Sequence, residues 1–216
     1  MNFINMDAWV RRKHFEFFKS MASPHVNFCA NVDITHLRDF VKKNELPFTQ
    51  TMVYIVSNTA NAVKEFRYRI RGEQVVEHER VHPSFTVMTN VEDVFTFCTV
   101  NYQPELKPFI AHTSEVMDFR KNNPSLEDEA GQDNLIFLSA IPWFSFTSFQ
   151  HPMHVPSRDS VPRIAWGKYF EENGRIKMPL AVQAHHGLVD GVHVGRYYQH
   201  FQKLLDAPED FLKDIN

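Results

Sequence analysis

The chain has 216 residues, with 23 Lys and Arg against 26 Asp and Glu and a formal net charge of −3. That balance has no field with which to gather nucleic acid or anionic lipid. Twenty Phe against 7 Gly exclude a disordered chain and imply large packed aromatic faces or an aromatic-lined pocket.

Residues 1–12 lack the apolar core of a signal peptide, and no stretch approaches the ~20 apolar residues that span a bilayer. Asp7 is a candidate cap for a first helix carrying Trp9, Val10, Phe15, Phe17 and Phe18. Val26, Phe28, Ala30 and Val32 then alternate as in a strand with one buried face. Asp33 or Thr35 opens a following helix. A longer helix over 48–65 sets Met52, Ile55, Val56, Thr59 and Val63 at helical spacing, and both helices read as amphipathic. From 68 to 98 β-branched and aromatic residues become frequent, with turn signals at Arg71-Gly72 and His82-Pro83, which predicts a meander of short strands. Cys29 and Cys98 are too few for a disulfide framework and sit among apolar neighbours, as buried thiols do in a reducing compartment. A cytoplasmic protein of one domain, 1–216, is therefore expected.

Residues 109–120 read as a helix, closed by a polar loop over 121–133 that contains Pro124 and Gly131. The segment 134–139 reads as a buried strand, and the rings of Trp143, Phe144, Phe146 and Phe149 follow at its exit. The stretch 151–162, with three prolines, is irregular. A hairpin of 164–170 and 176–184 turns at Asn173-Gly174, and a last helix covers 191–205.

The strand ending at Gln183-Ala184 delivers His185-His186-Gly187-Leu188-Val189-Asp190-Gly191 at the entry to that last helix. Loops at strand ends are where sites are built. A neutral imidazole, of ordinary pKa ~6.5, can take a proton from a hydroxyl and return it to a thiolate leaving group, which suits acyl transfer from a thioester to an alcohol. Two other readings compete: a packed core histidine, and a metal site of His185 or His186 with Asp190 and His193. The metal reading lacks a HExxH pattern or a cysteine ligand.

The run QAHHGLVDGVHVG resembles the HHxxxDG signature of the chloramphenicol acetyltransferase family. Dihydrolipoamide acyltransferases have a related motif, and condensation domains share it in chains about twice as long. WVRRKHFEFF, SAIPWFSFTSF and WGKYFEENGRIKMPLAVQ look like the same family in the same order, so the resemblance runs from Trp9 into the last helix. It implies an α/β fold, a two-layer sandwich with a mixed β-sheet packed against helices. It also implies a homotrimer with each site at a subunit interface, and acetyl-CoA as co-substrate with no metal.

The resemblance further implies roles. His186 would be the general base, its ring held by its own backbone carbonyl, with His185 supporting. Asp190 would pair with Arg11 and fix the loop, and Ser139 would donate to the oxyanion. Lys168, Tyr169 and Trp143 would lie along the coenzyme A channel, while Phe17, Phe18, Phe95 and Phe149 would line the acceptor pocket. The chain departs from the family at five positions. Ala165 replaces a threonine that assists the oxyanion, Arg163 and His151 stand at apolar pocket positions, and Pro47 and Thr49 stand where some members have Lys and Tyr. A guanidinium in such a slot is costly unless paired. The acceptor is therefore expected to be chloramphenicol or another small alcohol, with a non-catalytic coenzyme A-binding protein as the alternative class.

Overall fold

The computed structural model describes residues 1–127, 131–153 and 159–211. Parts of the expected 121–133 and 151–162 loops, at 128–130 and 154–158, lie outside the described residues, as do 212–216. Strand β10 (Arg175–His185) organises the chain, and Met178 to His185 are all buried. A strand covered on both faces needs such a run rather than strict alternation. It pairs antiparallel with β2 (His25–Asp33) from Lys177↔Asp33 to His185↔His25, and with β8 (Arg163–Gly167) from Leu180↔Trp166 to Gln183↔Arg163. Beyond β8 the sheet continues through β7 (Leu135–Ile141) and β5 (His82–Met88) in parallel, then β6 (Phe95–Thr99) antiparallel, in the order β2-β10-β8-β7-β5-β6. This is the expected mixed sheet of an α/β sandwich.

Residues directly opposite across a ladder share a face. One row therefore reads Phe28, Val182, Ile164, Leu138, Phe85 and Cys98, all in or against the main apolar core under the helices. The next row, on the other face, reads Asn27, Gln183, Arg163, Phe137, Ser84 and Thr99. The sheet thus has an apolar face and a polar one, and the segment after β7 lies over the polar face through Phe146 against Ala165 and Ala181. The one buried face expected for β2 is only weakly expressed: Val32 is buried, but Ala30 is exposed, because β2 is an edge strand.

Of the other helices, α2 (Thr35–Lys43) is amphipathic, with Leu37, Phe40 and Val41 inward. Helix α3 (Phe48–Ala62) corrects the amphipathic reading, since every residue from Thr51 to Ser57 is buried. It lies between the sheet, α4 (Leu106–Asn122) and α5 (Gly191–Asp206). Ser57 and Thr59 are tolerated there because their hydroxyls donate back to the carbonyls of Val53 and Ile55.

Three further expectations are corrected. The first helix, α1 (Arg12–Lys19), starts beyond Asp7, whose carboxylate instead meets Arg12. The 68–98 segment is not one meander. After a 3-10 turn at Lys64–Arg67, β3 (Tyr68–Arg71) and β4 (Gln74–Glu77) join β1 (Asn2–Phe3) in a separate three-stranded sheet, whereas β5 and β6 belong to the main one. His82-Pro83 lies within β5 rather than in a turn. Pro83 sits at the end of the β5–β6 ladder, where its carbonyl accepts from Val100 N and a missing N–H interrupts nothing beyond it. The expected 164–170 strand is split into β8 and β9 (Phe170–Glu172), both pairing with β10. Cys98 is buried, but Cys29 is only half-buried.

Candidate active site

The turn at Asn173 (φ 52°) and Gly174 (φ 72°) closes the β9–β10 hairpin with two left-handed residues, as a tight hairpin requires. It sets the register in which β10 ends at His185. There the backbone N–H groups of Leu188 and Val189 both return to the His185 carbonyl, and His186 N donates to Pro24 O. Gly187 fits because a Cβ would meet the His185 ring at 3.1 Å and the Phe15 Cα at 3.4 Å.

His186 is half-buried, with its ring against Phe18 at a centroid separation of 3.9 Å. Its Nδ1 lies 3.1 Å from the Val189 carbonyl oxygen. That oxygen only accepts, so Nδ1 carries the proton and Nε2 is left as the basic atom. The carbonyl holding the ring is thus Val189's and not the histidine's own, which instead accepts from Arg11 Nη2 at 3.3 Å. Arg11 Nη1 meets Asp190 Oδ2 at 3.0 Å. Asp190 also caps α5: its side chain accepts from Val192 N at 3.1 Å, and its backbone N–H donates to His193 Nδ1 at 3.0 Å. The Val192 N–H, followed by Arg11, holds the Asp190 carboxyl below its usual range.

His185 points to the polar face, where its Nδ1 accepts from Gly187 N and its ring packs edge-on to His25 at 5.4 Å. Burial, then the neighbouring His25, pushes its pKa down to about 4. His193 turns its Nε2 toward Glu65 Oε1 at 3.6 Å. With His186, His193 and Asp190 each turned to other partners, the residues of the competing metal reading do not converge. No group of three or more His, Cys, Asp or Glu able to hold a metal occurs among the described residues.

A second group forms around a cavity of about 650 Å³. Strands β5 and β7 pair only as far as Phe85↔Leu138, beyond which β5 continues beside β6 and β7 beside β8. The stretches that no longer pair with each other, Thr86 to Met88 and Ser139 to Ile141, all line the cavity. Phe85 and Leu138 of the helix-facing row line it together with Ser84 and Ser139 of the polar face. The cavity therefore opens through the sheet, between two diverging strands. Phe95, Phe149, Trp143, His151 and Arg163 also line it, as does Thr49 from the start of α3. The Arg163 guanidinium is neutralised by Asp159 and lies 5.1 Å over the Phe137 ring, which lowers the cost of a cation there. The Ser139 hydroxyl is 3.4 Å from His151 Nε2. Lys168 and Tyr169 do not line the cavity. Both are exposed at the end of β8, with Arg38 over the Tyr169 ring at 5.6 Å and Lys168 N donating to Phe144 O.

The sequence-predicted residues thus fall into two groups within one chain. Arg11, Phe17, Phe18, His186 and Asp190 gather where β10 meets α5, and Phe17 is 62% exposed in the single chain. Ser139, Phe95, Trp143, Phe149, His151 and Arg163 gather at the cavity. Ser139 lies across the ladder from Ala165 and Ala181, and His186 is five residues beyond Ala181. At ~3.3 Å per residue and ~4.8 Å per strand, His186 and Ser139 are roughly 19 Å apart. Gln183 escaped the sequence reading. It is buried, and its Oε1 accepts from His151 N at 2.8 Å. The signal was available: one amide in an otherwise apolar strand, two residues before the histidine pair.

Among solved structures the chain is similar to a chloramphenicol acetyltransferase, with a TM-score of 0.84 and 25% identity over 94% of this chain and 98% of that one. It shares its fold with the dihydrolipoamide acetyltransferase of Azotobacter vinelandii, at a TM-score of 0.70 and 18% identity over 93% and 88% of the two chains. The fold is the one these acetyltransferases share. Chloramphenicol acetyltransferases of Klebsiella sp and Escherichia coli are each 32% identical over 205 residues, covering 94% of this chain and 93% of theirs. Residues 1–202 match the family described as chloramphenicol acetyltransferase, and the chain belongs to that family.

Proposed function

We propose that this enzyme transfers acetyl from acetyl-CoA to a hydroxyl of chloramphenicol. The observation that carries the reading is the His186 Nδ1 contact with the Val189 carbonyl. It leaves an unprotonated Nε2 with no hydrogen-bond partner among the described residues. Nε2 takes the proton of the acceptor hydroxyl as that oxygen attacks the thioester carbonyl. The resulting oxyanion is met by the Ser139 hydroxyl, and one such donor is worth about 3 kcal/mol of transition-state stabilisation. Collapse expels the coenzyme A thiolate, which recovers the proton from His186.

The separation of roughly 19 Å between His186 and Ser139 supports a homotrimer in which the base of one chain serves the cavity of the next. The exposed rings of Phe17, Phe95 and Trp143 support the same arrangement, since apolar surface of this kind favours burial against another copy. Acetyl-CoA would enter from the Trp143, Lys168 and Tyr169 side. Lys168 and the nearby Arg38 supply cations for phosphate there.

The test is release of free thiol from acetyl-CoA in the presence of chloramphenicol. His186→Ala should lower kcat at least ~10³-fold while leaving thermal unfolding nearly unchanged. Undiminished release by that variant would remove the mechanism. Arg163 and His151 at the cavity favour a second reading in which another small alcohol is the preferred acceptor, and kcat/KM across a panel of alcohols decides between them. Coenzyme A binding without turnover of any acceptor would instead point to the non-catalytic class.

A further inference from the structure

We propose that His151 is a positioning residue for Ser139, orienting the hydroxyl so that its proton faces the developing oxyanion. The inference rests on the reading of Ser139 as the oxyanion donor. Across the ladder Ser139 faces Ala165 and beyond it Ala181, and neither offers a polar atom. A serine hydroxyl with such neighbours rotates among its staggered wells, and a rotating donor is not preorganised. Among the described residues its side-chain hydrogen-bond contact is His151 Nε2 at 3.4 Å. That is the long end of the hydrogen-bond range, so the ring orients the hydroxyl without locking it.

The ring is itself held on several sides. The backbone N–H of His151 donates to Gln183 Oε1 at 2.8 Å, which ties the residue to the strand that ends in His185-His186. Its imidazole stands edge-on to Phe149 at 4.9 Å and 82°. Its Nδ1 is buried without a hydrogen-bond partner among the described residues, and an unpaired lone pair is easier to bury than an unpaired N–H, so the ring proton sits on Nε2, which donates to the Ser139 oxygen and leaves the hydroxyl's own proton for the oxyanion. Burial, and then the charge of Arg163, push its pKa down to about 4, and the neighbouring Gln183 side chain opposes only part of that. At neutral pH the ring is uncharged, so it can meet a hydroxyl without competing electrostatically for the oxyanion. A leucine would fill the same volume against Phe149 without the cost of a buried polar ring.

The experiment is a double-mutant cycle of His151→Leu and Ser139→Ala, with His151→Gln as a second probe. Thiol release from acetyl-CoA is followed in the intact protein with the best acceptor. His151→Leu should lower kcat about fivefold to tenfold, the size of one oriented hydrogen bond, with KM for acetyl-CoA unchanged. In the Ser139→Ala background the same substitution should change kcat by less than about twofold. His151→Gln, which keeps a polar atom toward the hydroxyl, should recover part of the loss. Equal losses in both backgrounds would mean that the ring only packs, and would overturn the inference. So would an unchanged kcat in His151→Leu. A wild-type chain that turns over no acceptor overturns the acyl-transfer reading and this inference with it, whereas turnover with additive losses overturns the inference alone.

Discussion

Asp190 holds two jobs at once, and they can be separated by substitution. Its side chain caps α5 through Val192 N and grips Arg11, which in turn donates to the His186 carbonyl. Asparagine is as good a cap as aspartate, but it carries no charge for Arg11. Asp190→Asn should therefore keep thermal stability within about 1 kcal/mol of wild type while lowering kcat. Asp190→Ala should lose both, at about 1–2 kcal/mol for the missing cap and pair. Equal unfolding temperatures for the two variants would show that the cap is unimportant. This double use was half legible in the sequence. The pairing of Asp190 with Arg11 followed from the motif, but the cap depends on the φ and ψ of one residue, which only the folded loop reveals.

Among the elements, the small β1-β4-β3 sheet is fastened to the main one by a side chain that drew no attention in the sequence. Arg69 of β3 is fully buried. Its guanidinium donates to the carbonyls of Phe66, Tyr68, Asp133 and Leu135, so it stitches β3 to the start of β7. Burial lowers its pKa to about 10, against the opposing charge of Asp133, and it remains cationic at neutral pH. Arg69→Leu would leave several buried carbonyls without donors at ~1–3 kcal/mol each. A loss of roughly 3 kcal/mol or more in denaturant unfolding is expected, and a change below about 1 kcal/mol would contradict this account of the junction. The sequence could not have supplied it. An arginine in a β-rich segment reads as a solvent-facing charge until its four partners, two of them more than sixty residues away, are brought to it.

At the scale of the whole molecule, titration and assembly each make a prediction. Seven histidines, among them His151 and His185 at about 4, have folded pKa values below the ordinary 6.5. The unfolded chain therefore binds more protons than the native one between about pH 6.5 and 4. Stability from these groups is complete above pH 6.5 and is lost as pH falls toward 4. Asp33, lowered to about 2, adds its own loss only below 3.8. Denaturant midpoints measured from pH 7.5 to 4.5 should decline mainly below 6.5, and a flat profile would contradict the burial of these rings. Assembly is tested by mixing. If the base comes from one chain and the cavity from the next, refolding equal amounts of His186→Ala and Ser139→Ala proteins together should restore about a quarter of the sites in a random trimer. No recovery would mean that both residues act within a single chain.

By itself the sequence determined the acyltransferase motif, the hairpin turn at Asn173-Gly174 and the last helix, and through the family resemblance the mixed α/β class. Turn chemistry, periodicity and a short spaced motif are local, and each is fixed by residues that are neighbours in the chain. Only the tertiary structure decided which strands of 68–98 pair with which partner, that α3 is buried nearly all round, and that β5 and β7 diverge to open a cavity through the sheet. It alone decided that the Val189 carbonyl holds the His186 ring and that His151 sits against Ser139. Those contacts depend on segments distant in sequence meeting across a ladder or a loop, and no local pattern encodes the meeting.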